Sequence, residues 1–315
     1  MTGGLGYIGS HLALELVTKF GYEVTLVDDL STGLLERNVL NLEFLELDIT
    51  DSSRVANLFG SKRFDAVFHL AAKKSVEESI SDPEGYFQTN VIGTENLLQN
   101  SKLTGVKNFI FASTCAVYGE QLEINPYVKE DDELFPSNVY GKTKLLAENA
   151  VKNYSKDFDT YIFRFFNVIG SEDKNMMDAE SGSILSNLIN CAISNRSFTI
   201  FGNDYSTRDG TCVRDYIDVR DVSRAMANTL LSFDFPKNSC QVFNLGSQKG
   251  TTVLEMVGEF SLQFGNSIPY NFAPRRAGDI PIIMSDATKV SKKLNFSPDI
   301  SLRDSLASVC SLLKN

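Results

Sequence analysis

The glycine series at the head of the chain, Thr2-Gly3-Gly4-Leu5-Gly6-Tyr7-Ile8-Gly9-Ser10-His11, constrains the fold more than any other stretch. Glycine recurs at Gly3, Gly6 and Gly9 and then gives way to a helical period, with Ile8, Leu12 and Leu16 on one apolar face. Such glycines let the backbone bend sharply and approach a pyrophosphate, while the next helix offers unpaired N–H groups and its positive dipole end. The spacing Gly-x-x-Gly-x-x-Gly is not the commoner dinucleotide fingerprint, so the downstream pattern has to decide. A buried strand is expected from Glu23 to Val27, ending at Asp28-Asp29-Leu30, about 20 residues past the glycines, where a carboxylate meets the adenosine ribose. Asp28 would also repel the extra phosphate of NADP, so the unit makes NAD the expected dinucleotide.

Strand-like runs at Phe44 to Leu47, Ala66 to Leu70, Asn108 to Ala112 and Tyr161 to Phe165 alternate with helical stretches near Asp51 to Phe59, Glu84 to Leu103 and Asn138 to Tyr154. Alternation of this kind predicts an α/β fold with a doubly wound parallel sheet of the Rossmann type. Ligands then sit beyond the carboxyl ends of the strands, so Asp28, Asp48, Ala71 to Lys74, Ser113 to Thr114 and Asn167 should converge on one crevice. From Gly170 to Ser183 the pattern becomes irregular and then mixed, which implies a smaller mixed α/β substrate-binding lobe. We expect residues 1–166, with 215–242 returning to them, to form the NAD-binding domain, and 167–214 with 243–315 the second lobe. Thr252-Val253-Leu254-Glu255 reads as a helix-capping box with a structural role.

A chain of 315 residues with 43% hydrophobic content buries most of the surface it exposes when unfolded. Its net charge of −10 argues against a nucleic-acid surface, and an anionic substrate would need local arginines. Cys115, Cys191, Cys212, Cys240 and Cys310 form no Cys-x-x-Cys and read as small buried residues in a reducing compartment. With only His11 and His69 present, neither a zinc cluster nor a His-Asp dyad is supported, and both imidazoles read as structural. No run is apolar enough to span a bilayer, and the cytoplasm is the expected location.

Tyr140 and Lys144, in Tyr140-Gly141-Lys142-Thr143-Lys144, are the candidate redox base. Four residues apart puts them on one helix face, where an ammonium is expected to lower the phenol pKa. Among 11 tyrosines, on the order of one Tyr-x-x-x-Lys arises by chance, so the pair needs its context.

That context resembles the extended short-chain dehydrogenase/reductase family and, within it, the UDP-glucose (UDP-galactose) 4-epimerases, over nearly the whole chain. The most specific runs are Phe201-Gly202-Asn203-Asp204-Tyr205, Asp209-Gly210-Thr211-Cys212-Val213-Arg214-Asp215-Tyr216-Ile217 and Ala273-Pro274-Arg275-Arg276-Ala277-Gly278-Asp279. Val67 to Lys74, Asn90-Val91-Ile92-Gly93-Thr94 and Val117-Tyr118-Gly119 are shared more widely in the superfamily. The resemblance implies NAD held by Gly3, Gly6, Tyr7, Ile8 and Gly9. It also implies Asp28 on the adenosine ribose, Asp48 and Ile49 at the adenine edge, and Lys74 and Asn90 around the dinucleotide. Thr114 would bind the sugar O4, and Lys144 would hold the nicotinamide ribose while polarising Tyr140. Asn167, Arg214 and Arg276 would neutralise the UDP diphosphate. Tyr216 and Asp279 would reach the uridine ribose, with Phe201 beside the uracil. The implied chemistry is oxidation at C4, rotation of the 4-keto sugar and re-reduction, and the implied partner is a second copy, through the helices at Glu84 to Leu103 and Asn138 to Tyr154.

Dehydratases and decarboxylases on this fold use the same pair but place acidic residues after the threonine. Cys115-Ala116 stands there instead, and neither is a general acid or base for water loss. A non-catalytic NAD or sugar-nucleotide binder is the remaining alternative, against which the intact Thr114, Tyr140 and Lys144 set argues. Several positions depart from the family pattern. Thr114 replaces serine, Asp218 replaces histidine, and Ser183 falls near an expected asparagine. Ile283 aligns with a gate where tyrosine restricts N-acetyl sugars, so some tolerance of those sugars is implied. The chain opens at Met1-Thr2-Gly3-Gly4 where relatives have an apolar strand. A missing first strand is therefore expected to leave neighbouring ladder groups unpaired beneath the cofactor, as in a truncated chain.

Overall fold

A computed structural model describes every residue except 120–124, 179–181, 232–234, 277 and 315. Its strands are β1 (Leu26–Asp28), β2 (Phe44–Glu46), β3 (Ala66–His69), β4 (Asn108–Thr114), β5 (Tyr127–Val128), β6 (Asp159–Phe165), β7 (Asn167–Ile169), β8 (Phe198–Phe201), β9 (Val213–Asp218), β10 (Cys240–Leu245), β11 (Gly250–Thr252), β12 (Tyr270–Ala273) and β13 (Ile282–Ser285). The helices are α1 (Tyr7–Thr18), α2 (Ser52–Ser61), α3 (Val76–Ser81), α4 (Pro83–Phe87), α5 (Gly93–Thr104), α6 (Val139–Asn153), α7 (Ile184–Ser194), α8 (Val219–Asn228), α9 (Val253–Phe264), α10 (Thr288–Leu294) and α11 (Leu302–Lys314).

Strands β3, β4, β6 and β10 pair side by side, all parallel, and β1 pairs with β2 in the same sense. The residues that open the chain join the two halves. Thr2 bridges Val27 of β1 and His69 of β3, both in parallel register. The expectation of unpaired ladder groups is corrected at this level: Thr2 N donates to Phe68 O, Leu70 N to Thr2 O, Gly3 N to Val27 O and Val27 N to Met1 O, at 2.8 to 3.0 Å. Thr2 thus links β1 and β3 at the glycine turn. The expected strand from Glu23 contracts to Leu26–Asp28.

Both faces of this sheet are covered. One apolar cluster joins Leu12 and Leu16 of α1 to Phe68, Ile110, Phe163, Phe243 and Val222, and the other joins Val55, Leu97, Leu98 and Ala147 of α2, α5 and α6 to Val67, Phe109 and Ile162. The helix expected from Glu84 to Leu103 is continuous, running as α4, a π-helical stretch over Gln88–Ile92, and α5. Such a bulge re-aims side chains, here that of Asn90.

The second lobe is a mixed sheet of β11, β9, β13 and β5 with β7 beside β9, next to the parallel pair β8 and β12. Its own core gathers Ile169, Leu185, Leu188, Ile200, Phe260 and Leu306. The expected capping box at Thr252 is present, with Thr252 and Glu255 each satisfying the other's backbone N–H at the start of α9.

Candidate active site

Helix α1 begins at Gly6, and no side chain caps its first-turn amides, whereas α2, α6, α7, α8 and α9 each start under a side-chain acceptor. Those open N–H groups and the dipole behind them suit an anionic pyrophosphate. Close approach makes the glycines necessary: a Cβ at Gly9 would lie 2.0 Å from Gly3 O, and Gly3 holds a left-handed φ of +68° with the Ala71 backbone beneath it. The residues present therefore fit a dinucleotide. The side chains of Tyr7 and Ile8 are turned to other tasks, since the Tyr7 hydroxyl donates to Gly170 O at 2.6 Å and Ile8 packs on the core, which leaves only their backbone for a ligand.

Asp28 ends β1 as expected and is turned inward, accepting from Leu5 N at 3.0 Å and Leu30 N at 3.1 Å. It thereby braces the glycine turn and the ribose side together. Asp48 is exposed and accepts from Thr50 N, while Ile49 is buried against Gly93. Asn96, which the sequence reading missed, holds this turn by donating to Ile49 O and Thr50 O. Lys74 stands exposed on the loop after β3. Asn90 is buried and fully engaged, accepting from Lys73 N and donating to Lys73 O and Thr143 Oγ1 at 2.9 to 3.1 Å. It ties that loop to α6.

Helix α6 is capped by Asn138, whose side chain accepts from Gly141 N at 2.8 Å. A Cβ at Gly141 would meet Ala116 O at 2.7 Å, so glycine there lets the helix abut the loop that follows Thr114. Thr114, the last residue of β4, accepts from Ala116 N, and its hydroxyl is close enough to the Tyr140 phenol to favour the phenolate. Lys144 is one turn further along, 3% exposed, with Nζ 4.2 Å from the Phe111 ring centroid.

The electrostatics correct one expectation. Burial pushes the Tyr140 phenol up to about 12, with the Thr114 hydroxyl working against it, while burial pulls Lys144 down to about 7. Desolvation outweighs the ammonium because Lys144 rests on an aromatic face rather than on the phenol oxygen. The same cause pushes the Cys115 thiol up to about 11, so it stays protonated at neutral pH.

A cleft of about 480 Å³ opens in the second lobe. Asn167, Phe201, Arg214, Tyr216, Arg276 and Asp279 all line it. Arg276 stacks its guanidinium 3.9 Å over Phe201. Arg214 donates to Val213 O and Ile280 O and lies 3.5 Å from Asp279. The Tyr216 hydroxyl is buried without a hydrogen-bond partner among the described residues, the mark of a donor that awaits a ligand. Ser183 uses its hydroxyl to cap α7, and Asn187 on the following turn lines the cleft in its place. Ile283 is not part of that lining. It packs with Val117, Tyr118, Val128 and Phe166 in the wall behind the Thr114 loop. Of the arginine-bearing motif, residue 277 lies outside the described residues. Asp218, in the histidine place, is buried and receives Arg220 and the Ser305 hydroxyl.

Sequence reasoning missed Asp215. Its buried carboxylate accepts from the backbone and hydroxyl of both Ser247 and Ser285 and from Gln248 N, pinning β9 between Arg214 and Tyr216. Its position inside the quoted arginine motif was the available signal.

A parallel sheet with an uncapped helix at a glycine turn, and a tyrosine and lysine aligned beside the next strand's threonine, define the short-chain dehydrogenase class of nucleotide-fold proteins. Within that class the chain belongs to the NAD dependent epimerase/dehydratase family, whose model matches residues 1–246. UDP-glucose 4-epimerase 2 of Oryza sativa subsp. japonica is 38% identical, over 94% of this chain and 76% of that protein. The UDP-glucose 4-epimerase of Bifidobacterium longum, solved in complex with NAD+ and UDP, superposes with a TM-score of 0.90 at 29% identity, covering 99% of this chain and 97% of that one. The UDP-Glc/GlcNAc 4-epimerase of Campylobacter jejuni gives 0.83 at 34% identity, covering 99% and 98%.

Proposed function

We propose that the protein interconverts UDP-galactose and UDP-glucose by NAD-dependent oxidation at C4, rotation of the 4-keto sugar and re-reduction. The observation that carries this reading is the convergence of Thr114, Tyr140 and Lys144 at the carboxyl edge of the parallel sheet, with an arginine-lined cleft in the facing lobe. Bound NAD would supply the hydride acceptor and later donor, held by the glycine turn, Asp28 and Lys144. Tyr140 takes the C4 hydroxyl proton and returns it, Thr114 holds O4, and Lys144 binds the nicotinamide ribose. Arg214, Arg276 and Asn167 hold the diphosphate, Tyr216 and Asp279 the uridine ribose, and Phe201 flanks the uracil. Anchoring through UDP leaves the sugar free to turn, so binding energy is kept apart from the reacting centre. N-acetyl sugars are accommodated on this reading because Ile283, behind the Thr114 loop, stands where a tyrosine would restrict them. The protein works in the cytoplasm as a homodimer, meeting its copy through α5 and α6.

A coupled UDP-galactose assay with and without added NAD tests the reading. Turnover is expected, with Tyr140→Phe reducing kcat by about 10²–10⁴-fold as befits a lost acid–base group. Protein that retains NAD and forms no UDP-glucose would favour a binding role instead.

A further inference from the structure

One turn beyond Lys144 on α6 stands Glu148, 0% exposed, which the mechanism above does not use. Its carboxylate is held from three elements. Ser113 of β4, the neighbour of Thr114, donates to Oε1 at 2.6 Å. Arg164 of β6 donates through Nε at 3.0 Å and Nη2 at 2.8 Å, a fork-on-fork pair. Lys152, a turn further along α6, lies 3.3 Å from Oε2. Arg164 in turn donates to the Tyr118 hydroxyl and to Glu130 O, and Tyr118 donates to Asn244 of β10.

We propose that Glu148 is the positioning residue of the catalytic helix: it locks α6 to the strands that end at Thr114 and Phe165 and supplies the buried negative charge on the face shared by Tyr140 and Lys144. This rests on the function proposed above. The row Tyr140, Lys144, Glu148 follows from spacings of four, which stack side chains along one face. Breaking the knot would free the helix from β4 just where Thr114 must meet Tyr140.

The surrounding charges define what Glu148 does to Lys144. Lys144 faces the Phe111 ring of β4 and the neutral His69 of β3. Glu148 faces Arg164 of β6, Lys152 of α6 and Cys240 of β10. Burial alone would strip the proton from Lys144, and Glu148 is the charge that opposes this. Burial also opposes ionisation of Glu148, but Arg164, Ser113 and Lys152 hold its carboxyl below the usual range.

Urea unfolding of the apo-protein across pH, with Lys144 and with Lys144→Met, reads the lysine's native titration as the pH where their stability difference levels off. In Glu148→Gln that break is expected at least about one pH unit lower, and in holoenzyme the alkaline fall of kcat moves with it. Arg164→Gln is expected to leave the break in place or raise it. The double variant Glu148→Gln/Arg164→Gln removes both members of the buried pair, so neither is left without the other, and serves if the single variant does not fold. Its break is expected to move down as well. Ser113→Ala keeps the charge but loosens the anchor, so kcat falls while the break stays. An unmoved break in Glu148→Gln and in the double variant overturns the electrostatic half, and an unchanged kcat in Ser113→Ala overturns the anchoring half. If wild type turns over no UDP-sugar, the proposed function fails, yet the unfolding measurement still decides the coupling.

Discussion

At the scale of single residues, burial governs the ionisable groups that matter. Lys144 has its native pKa pulled from 10.5 to about 7, so between those values the unfolded chain binds more protons and stability rises with pH. Below about pH 7 the native ammonium is held at its full cost, and Lys144→Met should raise apo-protein stability there by roughly a few kcal/mol while abolishing turnover. Urea unfolding at pH 6.5 and 10 checks both the sign and its disappearance. The histidines act in the same sense over a lower pH range. Burial holds His11 down at about 4 and His69 well below 6.5, so stability falls as pH drops from 6.5 towards 4, where only the unfolded chain is protonated. His11→Gln should flatten that loss, and an unchanged slope would mean that the native imidazole is already charged. At Ile283 the expected effect concerns selectivity: Ile283→Tyr should lower turnover of UDP-N-acetylglucosamine more than that of UDP-galactose. Equal losses on both sugar pairs would remove Ile283 from the role of gate.

At the scale of elements, α6 carries the chemistry and its start can be tested alone. Asn138→Ala removes the cap on Gly141 N, which should cost about 1 kcal/mol of stability and lower kcat more than it raises KM. Thermal denaturation and steady-state kinetics separate the two. Helix α6, the glycine turn and the cap at Thr252 were legible because each rests on local chemistry, a period or a capping pair. The π-helical stretch over Gln88–Ile92 was not, because nothing local distinguishes it from a regular helix; within it Asn90 bonds Lys73 and Thr143, partners distant in sequence. The strand ends were legible for a related reason: in a parallel sheet all carboxyl ends share one edge, so finding the strands places the site. What period and spacing could not give was the inward turn of Asp28, the knot at Asp215 or the Glu148 to Arg164 pair, since each joins residues far apart in sequence.

At the scale of the whole molecule, α5 and α6 leave Leu103 74% and Leu146 47% exposed. Apolar side chains on the two helices expected to meet a second copy support a dimer, and light scattering after size exclusion should give twice the chain mass, with Leu103→Glu shifting it towards one. The two lobes are joined from beneath as well. Tyr7 donates to Gly170 O, and His11, whose Nδ1–H is directed at Tyr7 O, accepts from Glu172 N at 3.1 Å. The first turns of α1, at the glycine turn, thus grip the segment by which the chain enters the second lobe. For modular engineering this has a practical meaning: a substrate lobe grafted from this chain onto another dinucleotide fold would arrive without its mooring unless Tyr7 and His11 were transplanted with it.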